Sequence, residues 1–452
     1  MPRMNGRNSH ELPALPHLFA LCVSLPLLLP IPGLEAVPPF AMGAALLSIL
    51  LLMGQFLLDL VGRREGGTIR LIVLLFVGAA VASWLAGVLS FGFDAGAALS
   101  FVNWIALVGL VIAGQVMLAS PRRIGWMLNT WVISLSLVAL LVVVYLTLSF
   151  GPQLFTTTDR APFQVALRGF IPSWPNYFGV ALSTAVCVGY GRLAAGARPP
   201  FLRTQLAVLM VGLIVTFSRG SYVACIAGVG AITLVTGSRS RTALYFMVGG
   251  TLMVLIGIFV PAVNYQFLAT FESDTSQSLG VLERFAFARE ALRVWLERPA
   301  FGIGFSRFAD FVDPALVYSA NEQQSDLGSV HNEYVTTLLK GGWVVALALV
   351  LFLFAAFRLL RRVSRHPDLQ IRQWGVAGIG VMANLCVAGL VLESLRTISV
   401  SAIFWVLVGA LDGLMRKHRA AIAEPAPLEP QKDSQRAPAV PPIQGMSPGT
   451  CQ

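Results

Sequence analysis

Long apolar runs separated by short polar segments form the dominant pattern along the chain. Each run has about the 20 residues that a helix needs to cross a hydrocarbon core of roughly 30 Å. Lipid offers irregular backbone no hydrogen-bond partners, so runs of this length favour helices. The pattern predicts an all-α polytopic membrane protein with about 12 transmembrane helices. The candidate spans are approximately 17–34, 39–61, 69–90, 98–118, 126–149, 171–191, 201–217, 220–236, 243–264, 332–357, 374–392 and 397–415.

The cationic residues between the spans predict the orientation of the chain. With the N-terminus in the cytoplasm, 22 of the 32 Lys and Arg residues fall on the cytoplasmic side and 10 on the outer side. This bias follows the positive-inside rule. We therefore expect a multi-pass protein of the bacterial inner membrane with both termini cytoplasmic. The predicted regions are a cytoplasmic N-terminus at 1–16, spans at 17–264, an outer periplasmic segment at 265–331, spans at 332–415 and a cytoplasmic tail at 416–452.

Two regions outside the spans have distinct compositions. The tail is rich in Pro, Ala and Gln and has no apolar period, which predicts disorder. The outer segment contains a run at 281–298 whose apolar residues recur at helical spacing and which ends at a proline. Because this predicted amphipathic helix is basic, we expect it to lie along the bilayer surface, in contact with membrane lipids.

Composition excludes several other classes of protein. Hydrophobic residues make up 56% of the chain and charged residues only 12%, which is too little charge for an ordinary soluble protein of this size. The net charge of +10 would suit a nucleic-acid ligand, but topology already accounts for the basic residues, so no nucleic-acid partner is expected. Four of the five cysteines lie inside apolar runs without a CxxC pair, which favours buried packing over disulfides or metal ligation.

Ten cationic residues reach the outer side against the usual bias: Arg160, Arg168, Arg219, Arg284, Arg289, Arg293, Arg298, Arg307, Lys340 and Arg396. Arg219 lies in a tight turn between two apolar runs, and Arg289 and Arg293 share one helix face. The planar guanidinium binds phosphate oxygens in bidentate fashion and keeps its charge, so the cluster favours a diphosphate ligand at the membrane surface. The alternative is that these arginines contact lipid headgroups or neighbouring glutamates.

His331 is the one histidine that this topology places on the outer side. Its imidazole titrates near neutral pH and can accept a proton from a hydroxyl nucleophile. The alternative is a histidine that caps its helix or bonds to a carbonyl. No second histidine or cysteine stands at metal-ligand spacing, so no metal site is expected.

Several short motifs resemble the O-antigen ligase and O-antigen polymerase family of bacterial membrane glycosyltransferases. They are Ser218-Arg219-Gly220-Ser221, the segment from Arg284 to Phe305, His331-Asn332-Glu333-Tyr334 followed by Gly341-Gly342, and Arg168 with Pro175-Asn176. The order of the motifs, their shared outer face and the place of the long outer segment all match the family. The tail does not.

This resemblance implies a glycosyltransferase of the multi-span, GT-C-like type that needs no cofactor or metal. The donor would be a glycan on undecaprenyl diphosphate, and the acceptor a hydroxyl of a saccharide or of lipid A-core on the periplasmic face. The implied catalytic residues are His331, which would activate the acceptor hydroxyl or hold it in place, and Arg219. Arg168 and Arg219 would bind the diphosphate with Arg289 or Arg293 assisting, and the supporting residues would be Asn332, Glu333, Tyr334 and Lys340. Lys340 departs from the family, which often has an acidic residue there.

The activity within the family stays open at this point. Ten residues separate Arg168 from Gly179 and Arg293 from Gly304, a spacing that resembles the polymerases, whereas the outer histidine also suits a ligase. We favour the ligase type. The alternative from another class is a transporter or flippase of lipid-linked sugars, which the glycine-rich spans would permit. Against that alternative, the charged residues gather near span ends and on one face rather than at mid-membrane.

Overall fold

A computed structural model describes residues 68–153, 175–237, 276–312 and 330–423, together with 16–17, 163 and 165–167. These ranges contain ten α-helices. They are α1 Thr68–Phe91, α2 Ala95–Met117, α3 Pro121–Phe150, α4 Pro175–Ala194, α5 Leu202–Val215, α6 Arg219–Thr236, α7 Ser276–Glu297, α8 Glu333–Val363, α9 Leu369–Ala388 and α10 Ile398–Ala423.

The predicted all-α polytopic membrane fold is confirmed. Seven of the described helices, α1, α2, α3, α6, α8, α9 and α10, are long and apolar enough to cross a membrane. Of the other two helices at predicted spans, α4 has 20 residues and the apolar α5 only 14. The total of twelve spans stays a prediction, because the candidate spans at 17–34, 39–61 and 243–264 lie almost wholly outside the described residues.

Helix α10 forms the centre of the described bundle. In its most apolar window 89% of the residues are buried, compared with 33% for α1. It packs against α2 through glycines, since a Cβ atom on Gly409 would collide with the Val111 carbonyl and one on Gly114 with the backbone of Val406. Small residues let membrane helices approach this closely, where dispersion forces between backbones hold them together.

A buried asparagine fixes α4 against α9. The Asn384 side-chain oxygen accepts a hydrogen bond from Thr184 Oγ1 at 3.0 Å, and its Nδ2 donates to Ser183 Oγ at 2.8 Å. All three side chains are buried, so each would lose a partner if the helices slid past each other. These bonds set the register of α4 and α9, whose ends frame the candidate site.

Helix α8 is interrupted near its start. Gly342 has φ 66° and ψ −173°, which breaks the helical hydrogen bonding. The chain segment Pro299–Phe305, which follows α7, supplies replacement partners. The backbone N–H of Ile303 donates to the Leu339 carbonyl at 2.8 Å, and the N–H of Trp343 donates to the Pro299 carbonyl at 2.9 Å. Buried backbone groups need such partners, so the break and the inserted segment stabilise each other.

The inserted segment also packs on α1 and α2. Ser83 Oγ donates to the Phe301 carbonyl at 2.6 Å, and Gly304 lies against Gly87 with no room for a Cβ atom on either residue. The guanidinium of Arg298 lies 4.3 Å from the centre of the Phe91 ring. The result is a joint among α1, α2, α7 and α8 that fixes the first turns of α8.

We predict that Gly342→Ala destabilises the protein by about 1–3 kcal/mol, because a side chain at this positive φ is strained. The added Cβ atom would also collide with the Ala300 carbonyl. The check is the thermal unfolding midpoint of the protein purified in detergent. Gly78→Ala is the matched control, since a Cβ atom there meets nothing within 4 Å. Equal midpoints for the two variants would contradict the role given to Gly342.

Candidate functional site

The candidate site lies at the end of the bundle where α4, α6, α8 and α10 begin and α9 ends. Its framework is the α9–α10 connector, defined as residues Gly389–Thr397. The start of α8 contacts one part of this connector and the start of α6 contacts another. The connector therefore joins the two predicted site residues, His331 and Arg219.

His331 directly precedes α8 and has an unusual backbone conformation. Its φ of 52° lies in the left-handed region, where residues other than glycine are uncommon. The next residue, Asn332, caps the helix, because its Oδ1 accepts from the N–H groups of Tyr334 and Val335, each at 3.0 Å. Asn332 Nδ2 also donates to the Leu390 carbonyl at 2.9 Å. The strained His331 is thus held between a helix cap and the connector.

Glu333 is fully buried and binds the connector at both ends. Its backbone N–H donates to the Gly389 carbonyl at 2.8 Å. Its Oε2 accepts from the backbone N–H groups of Leu395 at 2.9 Å and Arg396 at 3.2 Å. The resemblance implied a supporting role for Glu333, and these contacts show how it holds the backbone beside His331.

Arg219 is the first residue of α6 and is partly buried. A Cβ atom on the adjacent Gly220 would lie 3.9 Å from Val391 Cβ, so this turn touches the connector one residue beyond the contact with Asn332. On its other side, Ser221 Oγ donates to the Asn176 carbonyl at 3.2 Å. The Ser218–Ser221 motif therefore lies between the connector and the start of α4.

A second arginine acts electrostatically on Arg219. Arg284 lies on the exposed side of α7, and its charge repels the Arg219 guanidinium. The sequence placed Arg284 among the outer cations but gave it no role, because α7 and α6 are far apart along the chain and only the fold brings their charges within range of each other. An anion that reached both guanidinium groups would be attracted by both charges.

Arg396 adds a partly buried cation on the connector. It forms an ion pair with Glu393, whose Oε1 also accepts from Thr336 Oγ1 at 2.9 Å. Burial lowers the pKa of the Arg396 guanidinium, and the negative charge of Glu333 opposes this change. Lys340 is 9% exposed, lies close enough to Arg396 for charge repulsion and donates to Ser100 Oγ at 3.2 Å. The acids Glu333 and Glu393 thus balance part of this positive charge.

The remaining predicted diphosphate ligands are placed differently. Arg168 lies outside the described residues. Arg293 is 54% exposed and forms ion pairs at 2.6 Å with Glu290 and Glu297. The hydrogen bond to Glu290 raises the pKa of its guanidinium, and its charge is already compensated. Arg289 shares an exposed groove on α7 with Arg293 and with three apolar side chains, Phe285, Leu292 and Leu296.

Tyr334 and Cys386 complete the groups near the start of α8. The Tyr334 hydroxyl donates to the Cys386 carbonyl at 2.7 Å, which ties α8 to the last turn of α9. Cys187, Cys225 and Cys386 are free thiols, two of them buried. Among the residues that the structure describes, no group of three or more His, Cys, Asp or Glu side chains could hold a metal ion.

Residues 205–350, about a third of the chain, match the family model described as O-antigen ligase. The chain carries an O-antigen ligase family domain. The match includes Arg219, Arg284 and His331 and confirms the family that the motifs resembled. An enzyme of the ligase or polymerase type follows from it. No curated protein is a significant match to the chain.

The two glycines at the polymerase-like spacing, Gly179 and Gly304, have packing roles. A Cβ atom on Gly179 would collide with the Ser221 hydroxyl, and one on Gly304 would collide with the backbone of Gly87. Gly304 also has a φ of 63°. Since close packing accounts for both glycines, the spacing does not separate polymerase from ligase.

We predict that Asn332→Ala and Asp94→Ala have similar effects on stability but different effects on transfer. Each side chain accepts hydrogen bonds from two N–H groups at a helix start, so each variant should lose about 1 kcal/mol. Only Asn332 also binds the connector, so only Asn332→Ala should reduce glycan transfer. The unfolding midpoint and the transfer rate check this. Equal losses of transfer would contradict the role of the connector.

Proposed function

We propose that this protein transfers a glycan from undecaprenyl diphosphate to an acceptor hydroxyl of a saccharide or of lipid A-core on the periplasmic face. The departing diphosphate carries at least two negative charges, which must be neutralised as the glycosidic bond breaks. Arginines can supply that charge without a divalent metal. The observation that carries the proposal is that one connector contacts both Gly220, beside Arg219, and Asn332, beside His331.

Arg219 and Arg284 form the core of the proposed diphosphate site. An anion that contacts both guanidinium groups is attracted by both charges. Arg168 is proposed as a third ligand from the preceding outer segment. Arg293 is a weaker candidate because two glutamates hold it, and Arg289 in its apolar groove is better placed for lipid headgroups.

An apolar surface of the protein that could bind the polyprenyl chain begins at the proposed diphosphate site. Val223, Ile226 and Leu234 are exposed on α6, at positions 4, 7 and 15 residues after Arg219. This spacing places them on one helix face with Arg219. A lipid chain along this face would keep its diphosphate at Arg219, so the donor is held at the membrane rim.

His331 is the proposed base for the acceptor. A neutral imidazole can take the hydroxyl proton as the new bond to the sugar forms, and the diphosphate leaves with the electrons of the old bond. The strained backbone of His331 supports this role, since such conformations gather at functional sites. Asn332, Glu333 and Tyr334 hold the start of α8 around it, and Lys340, further along α8, donates a hydrogen bond to Ser100.

We predict that His331→Ala and Arg219→Ala each reduce glycan transfer at least about 100-fold, since each removes a group that acts on the transition state. The measurement is transfer in membranes that contain equal amounts of each variant. Arg192→Gln is the control for the loss of a buried arginine away from the site. Arg192 is 7% exposed and donates a hydrogen bond to Gln373 near the other end of α4. Full activity of either site variant would refute the proposed site.

Ligase and polymerase differ in what accumulates when the gene is deleted. We favour the ligase, and therefore expect long polymer to remain on its lipid carrier in the deletion strain. Loss of a polymerase would instead leave single repeat units joined to the acceptor. Gel analysis of the lipid-linked and acceptor-linked glycans distinguishes the two, and the second pattern would assign this chain to the polymerases.

A further inference from the structure

Glu333 stands out among the buried carboxylates at the site because of what it binds. Its side chain has no exposed surface, and its Oε2 accepts two backbone hydrogen bonds from the connector, from Leu395 at 2.9 Å and Arg396 at 3.2 Å. Together with its own N–H, which donates to Gly389, it binds both ends of a nine-residue loop.

The connector in turn spans the two halves of the proposed site. Leu390 accepts a hydrogen bond from Asn332, the neighbour of His331, at 2.9 Å. The adjacent Val391 packs against Gly220, the neighbour of Arg219. Two consecutive connector residues therefore contact the neighbours of His331 and of Arg219. Any shift of the connector changes the spacing between the proposed base and the proposed diphosphate ligand.

If Glu333 only closed the loop through hydrogen bonds, a neutral side chain would do so without the cost of burying a carboxylate. Burying it is unfavourable, and within the described part of the chain its Oε1 has no hydrogen-bond partner. Its negative charge adds to that of Glu393, which forms an ion pair with the Arg396 guanidinium. A neutral residue would accept the same N–H groups but would not add this charge.

We propose, building on the transfer reaction above, that Glu333 is a positioning residue that sets the spacing between His331 and Arg219 through the α9–α10 connector. It touches neither substrate nor reacting atoms. Its loss leaves the donor-binding arginines present but misplaces them relative to the imidazole, so it lowers the rate of transfer more than the affinity for donor.

A disulfide across the connector tests the geometry without any catalysis. The Cβ atoms of Gly220→Cys and Val391→Cys would be 3.9 Å apart, within the range of a disulfide. The pair is introduced after the five native cysteines are replaced by alanine. Mild oxidation should then form the crosslink rapidly. With Glu333→Ala added, the rate should fall at least about fivefold, because the hydrogen bonds that hold the connector are lost.

Asp412→Asn in the same cysteine-pair protein is the matched control. Asp412 is also a buried carboxylate, 5% exposed, and accepts a hydrogen bond from Gln115 at 3.0 Å, but it lies in the last turns of α10, far from the connector. Its crosslinking rate should stay within about twofold of the parent, since no contact to the connector is lost. An unchanged rate in Glu333→Ala, or an equal fall in Asp412→Asn, overturns the proposal.

Glu333→Gln keeps the test decisive if Glu333→Ala fails to reach the membrane. Glutamine retains an acceptor oxygen for the two N–H groups and loses only the charge, so crosslinking should slow less than in Glu333→Ala but still measurably. In the protein with native cysteines, Glu333→Gln should lower kcat about tenfold with the donor KM within about twofold. The pH dependence of transfer should keep its shape, because His331 still titrates.

The outcomes separate this proposal from the proposed function. If crosslinking depends on Glu333 and kcat does not, the connector is structural and the positioning role is refuted. If Glu333→Gln abolishes the acid limb of the pH profile, Glu333 is itself the proton acceptor and the proposal also fails. If His331→Ala and Arg219→Ala stay active, the proposed function fails even though crosslinking still depends on Glu333.

Discussion

The need to satisfy buried backbone groups governs the part of this protein that carries the site. In an apolar bundle the carbonyls around the break at Gly342 have no water to bind. The segment Pro299–Phe305 supplies the missing partners and, through Ser83 and Gly87, joins α8 to α1. Because this joint fixes the first turns of α8, it also fixes the position of His331, which lies two residues before the helix.

Charge balance is the second constraint on the site. Glu333 and Glu393 compensate Arg396, whereas Arg219 and Arg284 repel each other at the edge of the bundle. The side chains of Glu333, Glu393 and Arg396 belong to the framework that holds the connector in place. The proposed diphosphate site uses the charges of Arg219 and Arg284, which would act on the anion as its bond to the sugar breaks.

Much of the architecture could be predicted from periodicity. Each of the seven helices fit to span the membrane overlaps a predicted span, because an apolar run of this length has few other stable conformations in lipid. The helix ends were less predictable. Helix α8 extends to Val363 and α10 to Ala423, several residues past the apolar runs, since basic side chains continue a helix into the polar interface. The break in α8 could hardly be predicted, because its signal in the sequence is only the pair Gly341-Gly342.

The sequence by itself determined the membrane class, the motifs of the ligase family and the identities of His331 and Arg219 as candidates, because these depend on residue type and local order. Only the tertiary structure decided which distant residues meet. It bound Glu333 to both ends of the connector and brought the charge of Arg284 within range of Arg219. Such pairings join residues tens of positions apart, and their distances follow from helix packing rather than from any local pattern.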